Sequence, residues 1–345
     1  MEASFISTAA LRNQPRLEVN RLQNELADRT VELATGRHAD VGLALGTETG
    51  RMISLRNEAA LMETLIRSNG TAQARLTLIQ AGLTDIRDNA SDLLASAVAI
   101  PPGEGAARVL ETEARAAMDR LSDRLNASDG GSFLFAGINT DEAPFTRLED
   151  GPEAAIIAAF NTRFGLNPGD PGVDAILPAD MTDFLRNEFA AFFDDPAWGT
   201  TFSVASSDNI VTRIAISERA PTGTNANEQG IRNTAEAMTM LAVLGLDTLS
   251  EGTRQAVIDE ARLGLGQAVS DLAGIQSELG FSQNAIERAN ERMSLARDML
   301  AGIIAEAEVV DPAEAKVRVD LLTTQIEMSF ALTGQISRLS ILNYA

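Results

Sequence analysis

The sequence predicts a mainly α fold: a long antiparallel coiled-coil rod built from the N- and C-terminal segments, carrying a small mixed α/β insert that contains a β-sheet. Three observations predict it. Leu265, Ala268, Leu272, Ile275, Leu279, Ser282, Ile286, Ala289, Met293, Ala296, Leu300, Ile303, Ala307 and Val310 lie at alternating steps of three and four, and thirteen of the fourteen are apolar. Such a seven-residue repeat marks a helix with one buried seam, roughly 70 Å long at 1.5 Å per residue. A matching repeat runs from Leu55 to Ile100 with twelve of fourteen positions apolar, and it stops at Pro101-Pro102. Equal length makes the two natural partners, with Leu76, Ile79, Leu83 and Ile86 facing Leu272, Ile275, Leu279, Ile286, Met293, Leu300 and Ile303 in the rod core. Between them the composition changes: eleven of fifteen aromatic residues lie between Phe133 and Phe202, and seven of eleven prolines between Pro144 and Pro221. A segment packed with Phe rather than Leu and Ala has its own core.

Taken in order, the first forty residues read as a helix through Val19, Leu22, Leu26 and Leu33, with Pro15 limiting it on the N-terminal side. The stretch 36–50 holds four glycines and reads as a loop. It lacks the GxxxxGK[ST] order of a phosphate cradle, and the only lysine of the chain is Lys316. After the Leu55–Ile100 repeat, a third helix from about Glu104 to Asn126 places Ala107, Leu110, Ala114, Ala117, Leu121 and Leu125 on one face. Asp129-Gly130-Gly131 suits a left-handed turn that ends it. In the insert, Phe202 to Val204 and Ile210 to Ile216 carry strand patterns, and Thr182 to Phe193 reads as a short amphipathic helix. Residues 226–246 return to helix, and Ser250 or Thr253 is placed to cap the long repeat. Asp311-Pro312-Ala313-Glu314 opens a last helix to about Ser340. That helix presents Leu321, Met328 and Leu332 on one face and Val319, Leu322, Ile326 and Ile336 on another, so it expects two partners. The domains predicted are 1–45 with 311–345 as terminal assembly helices, 46–137 with 223–310 as the rod, and 138–222 as the insert.

Composition narrows the function. With 49 acidic and 28 basic side chains the net charge is −21, which weighs against nucleic acid or an anionic membrane as partner. The ends are near neutral: residues 1–40 hold five basic and six acidic groups, and residues 316–345 hold three and two. The insert 138–222 carries five basic and fourteen acidic groups, as an exposed surface would. There is no cysteine and one histidine, His38, so disulfides, zinc-finger sites and Ser-His-Asp triads have no residues to work with. No run of 18 apolar residues exists to span a membrane. The N-terminus lacks the basic-then-apolar order of a cleavable leader, so Sec-type export is not expected. The carboxylate pairs Glu111/Glu113, Asp194/Asp195 and Asp259/Glu260 read as solvated faces and a turn, and His38 beside Asp40 lacks further metal ligands. No enzyme and no cofactor is expected.

Specific residues then carry a resemblance. The segment 31–40 resembles the stretch that follows the first helix of flagellin-like proteins. Gly131-Ser132-Phe133-Leu134-Phe135-Ala136-Gly137, with Asn139-Thr140 and Pro144-Phe145, is similar to the F-L-F-x-G-x-x-T-x-x-P-F pattern of the hook–filament junction family, hook-associated protein 3. Residues 218–227 resemble that family's return from insert to rod, and the ending 339–345 resembles its L-S-L-L-N-Y-x terminus. Asp40-Val41-Gly42-Leu43 departs from the family's Asp-Asp-Pro turn, and the insert matches weakly. The resemblance implies a structural subunit of the bacterial flagellum, secreted through the flagellar type III apparatus and assembled as a ring of copies. Its partners would be itself, a neighbouring hook-associated protein, flagellin, and an export chaperone on the C-terminal helix. Assembly is expected to rest on Leu22, Leu26, Leu322, Ile326, Ile336, Leu339 and Leu342. The alternatives are a flagellin of the same fold, which would build filaments, and a cytoplasmic coiled-coil scaffold, which would be a stable dimer in solution.

Overall fold

A computed structural model describes residues 8–342 of the chain, with the side chains of 8–13, 15 and 336–342 outside the described set. The element order is α1 (Thr8–Thr35), α2 (Val41–Leu45), α3 (Thr49–Ala99), α4 (Glu104–Leu125), a hairpin of β1 (Ser128–Asp129) and β2 (Ser132–Phe133), then α5 (Pro152–Phe164), α6 (Pro178–Phe184) and α7 (Trp198–Thr201). There follow the ribbon β3 (Val211–Arg213) and β4 (Arg219–Pro221), α8 (Gln229–Val243), α9 (Glu251–Glu308) and α10 (Pro312–Leu342). The chain is thus mainly α with long helices and two-stranded antiparallel sheets, as expected. It forms two compact units, one of residues 1–63 with 294–345 and one of residues 64–293.

In the second unit α3 and α9 run antiparallel. As the α3 position rises from Asn69 through Gln80 and Thr84 to Ala97, its hydrogen-bond partner on α9 falls from Asn290 through Gln276 to Arg262. The repeat positions fill the seam: Leu76, Ile79, Leu83, Leu272 and Ile286 are fully buried, with Ile86, Leu279 and Met293 nearly so. Ile275 is half-buried. In the same unit α4, whose predicted face from Ala107 to Leu125 is buried, packs against α8, where Ile231, Met238, Leu241 and the C-cap Leu244 are fully buried. Ser250 caps α9 by accepting from the Thr253 N–H at 3.3 Å.

The aromatic cluster is continuous. Phe160, Phe164 and Phe184 stack edge to face, Phe189 and Phe193 carry the chain of rings onward, and Trp198 lies 5.3 Å from Phe202. The helix expected over Thr182–Phe193 is α6 continued by a π turn and a 3-10 turn. The helix α5 was not foreseen, although Pro152 at its first turn and Glu153 beside it are ordinary start signals. Phe202–Val204 is not a strand; Ser203 makes only an isolated bridge to Phe145.

The motif residues prove to be joinery. Gly130 and Gly131 do not end α4; both have positive φ (57° and 87°) and turn the β1–β2 hairpin, where two such residues match the strand twist. Phe135 is fully buried, and its ring packs so close to Gly82 that a Cβ there would lie 3.0 Å from it. At Gly137 (φ 63°) a Cβ would sit 2.3 Å from the Ser206 carbonyl oxygen, so only glycine fits. The Ala226 N–H donates to Phe135 O at 2.8 Å, and Asn227 Oδ1 accepts from both Trp198 Nε1 and Ser203 Oγ. These contacts close the insert back onto its helices.

In the first unit α1 extends from Thr8, so Pro15 lies within it and does not bound it. A proline removes one N–H from the ladder and the other bonds of a 28-residue helix remain. The expected loop 36–50 contains α2, capped by Asp40 accepting from the Leu43 N–H at 2.9 Å, and a 3-10 turn. Asp311 caps α10 by accepting from the Ala313 N–H at 2.8 Å, while Glu314 pairs with Arg318 instead of closing a capping box. Leu300 is half-buried and Ile303, expected in the core, is 41% exposed in the single chain. Met293 is the last buried repeat position on α9, and beyond it the repeat residues are half-buried or exposed up to the helix end at Glu308.

Candidate assembly surface

The first unit is built around the pairing of α1 with α10. Leu22, Leu322 and Ile326 are buried against one another at 6–8% exposure, and Leu26 packs on them. Val19 on α1 and Ala315 on α10 are buried as well. Four of the seven residues expected to mediate assembly are therefore brought together, but within one chain. The side chains of Ile336, Leu339 and Leu342 lie outside the described residues.

The second stripe of α10 is uncovered: Val317, Leu321, Met328 and Leu332 are 54–66% exposed. At 100° per residue these four lie roughly 140° round the helix from the Ala315–Val319–Leu322–Ile326 face. On α1, Leu17 (68%) and Val31 (50%) likewise point away from the pair. Leu321, Met328 and Leu332 had been legible as a stripe; Leu17, Val31 and Val317 had not, because single apolar residues on a polar face carry no periodic signal. Apolar faces of this extent mark sites of association.

Where the pair joins the rest of its unit, two connections cross. Arg37 and Val309 form an antiparallel bridge, His38 N–H donates to Glu308 O at 3.1 Å, and Val310 N–H donates to Gly36 O at 3.0 Å. Glu308 is 3% exposed and its carboxylate meets Arg56 and, at 3.6 Å, Arg37. Glu32, 5% exposed, accepts from Arg29 at 2.6 Å and from the Ala39 N–H at 3.2 Å, with His38 Nδ1 at 3.6 Å. Burial works to raise the Glu32 carboxyl, but Arg29, the Ala39 N–H and His38 together hold it below the ordinary carboxylate value.

Other titratable groups are structural. Asp259 pairs with Arg262, Glu260 with Arg186, and Asp195 with Arg232, which also stacks over Trp198. Burial raises Glu111. Among the described residues, no three His, Asp or Glu side chains converge as a metal site. Nor is any described helix long and apolar enough to cross a membrane. On α8, burial, with Asp194 and Glu260 nearby, pushes Glu236 up to about 7. Its folded pKa exceeds the unfolded 4.5, so its protonated form stabilises fully below pH 4.5 and that stability is lost as pH rises through 7. Glu236→Gln is expected to raise the Tm at pH 8 by a few degrees, on the order of 2 kcal/mol, and to change nothing near pH 4.5. A gain equal at both pH values would contradict this burial.

Family models for the bacterial flagellin N-terminal helical region and C-terminal helical region match residues 6–140 and 264–345. Among solved structures, one assigned as a flagellar hook-associated protein from Vibrio parahaemolyticus aligns with a TM-score of 0.54 at 12% identity, covering 76% of this chain and 97% of that one. At that identity the likeness concerns the fold. No curated protein sequence matches.

Proposed function

Because this chain belongs to the flagellin-like family, a structural and non-enzymatic family of the bacterial flagellum, we propose that it forms the junction between hook and filament as a ring of copies. The observation that carries the reading is the unequal use of α10: one apolar face is spent on α1, while Leu321, Met328 and Leu332 are left exposed. The residues Phe133 to Gly137 with Pro144-Phe145, and the ending 339–345, favour the junction role over that of a filament subunit. Residues 1–45 with 311–345 serve as assembly helices and the acidic segment 138–222 faces outward. Ile336, Leu339 and Leu342 extend the contact surface, with the Leu22–Leu26–Leu322–Ile326 seam presenting it.

The chain is exported unfolded by the flagellar type III apparatus, with a chaperone covering α10 beforehand. Its lack of cysteine suits such passage. Paired terminal helices with so little buried core are marginal alone and gain order on binding neighbours, namely other copies, a hook-associated protein and flagellin. Electron microscopy of a strain lacking the chain is expected to show hooks without filaments. Filaments of normal length would refute the junction role, and filaments built by this chain alone would make it a flagellin.

A further inference from the structure

The two connections that lead out of the α1/α10 pair cross at a single point, and that point holds two buried carboxylates. Glu308 closes α9 and is met by Arg56 from α3 and Arg37 from the connection after α1. Glu32 closes the last turns of α1 and is met by Arg29, the Ala39 N–H and His38, the only histidine of the chain. Between them lies a short stretch of paired backbone, Gly36 to His38 against Glu308 to Val310. Little apolar surface is available to hold this crossing. Val309 is 58% exposed, and the groove lined by Arg37, Arg56 and Glu308 has mostly alanine as its apolar lining.

Apolar contacts tolerate sliding, since many registers bury similar area. A buried carboxylate does not, because any register that separates it from its arginines leaves a charge unpaired. Two such groups at the exit of two chains define a direction as well as an attachment. We infer that Glu32 and Glu308, with Arg29, Arg37 and Arg56, form an ionic latch that sets how the α1/α10 pair leaves the start of α3 and the end of α9. These are positioning residues: they act by aiming the helices of the α1/α10 pair. The latch stands on the monomer and does not depend on the junction reading.

The test uses the full chain in solution, reading amide exchange at His38 and Val310, whose N–H groups donate across the crossing, and the unfolding midpoint of Trp198 in the other unit. Glu308→Gln is expected to speed exchange at both amides about tenfold while leaving the Trp198 midpoint within about 1 °C. Arg56→Lys, which keeps the cation opposite Glu308, is expected to retain most of the protection. Arg56→Gln, at a half-exposed position, reads the same contact should Glu308→Gln fail to fold. Unchanged exchange in the variants that fold would overturn the latch. So would an equal loss of protection in Arg56→Lys and Arg56→Gln, since the charge would then not be what holds the crossing. Loss of protection here with normal ring assembly would sink the aiming role and leave the junction reading intact.

Discussion

Leu272→Asp is expected to unfold the unit of residues 64–293. Leu272 is fully buried in the α3–α9 seam. The loss has two parts: the burial and cavity term of removing a leucine, about 2–5 kcal/mol, and the several kcal/mol of an unpaired charge held away from water. Together they approach the whole stability of a typical domain, about 5–15 kcal/mol. Trp198, fully buried in the same unit, reports the outcome by fluorescence. Leu300→Asp is the control. Leu300 occupies an equivalent position in the repeat but is half-buried, so its cost is about 1–2 kcal/mol, within the ordinary range for point changes. If both variants melt together, or neither loses stability, the seam does not end where the structure ends it.

Deleting residues 316–345 is expected to abolish incorporation into flagella while leaving the Trp198 midpoint unchanged. The deletion removes Leu322 and Ile326, which cover Leu22, and with them the exposed Leu321, Met328 and Leu332. It leaves the 64–293 unit whole. A finer variant separates the two faces. Leu321→Asp with Met328→Asp changes only residues about 55% exposed, so the α1/α10 seam and the monomer's melting should stay as they are. Incorporation should fall at least tenfold, because charge on a surface buried by association is uncompensated. Flagella that accept either variant normally would remove the terminal helices from the assembly reading.

Much of this was legible without coordinates, for a local reason. Helical periodicity depends on a few residues at a time, so Leu76, Ile79, Leu83 and Leu272 declared their face, and Asp311-Pro312 declared where α10 begins. Proline and aromatic density likewise marked the segment that packs with Phe. What could not be read was which face meets which neighbour. Spacing offered α10 two stripes of similar quality, and only the fold shows that Leu322 and Ile326 turn inward while Leu321 and Met328 turn out. Gly130 and Gly131 had the right conformation for a helix end and serve a hairpin instead, since backbone preference does not name the element it joins. Ile303 kept the repeat but lost its cover, because periodicity along one helix does not show where its partner's cover ends.

The amino-acid order alone therefore determined the helical class, the antiparallel repeats, the absence of thiol chemistry and a strongly acidic body. Tertiary structure decided the pairing of α1 with α10, the ionic crossing at Glu32 and Glu308, and the closure of the insert through Gly137 and Asn227. The division has one physical cause. A helix is stabilised by contacts three and four residues apart, whereas a partner is chosen by whatever distant surface gains most when water leaves both.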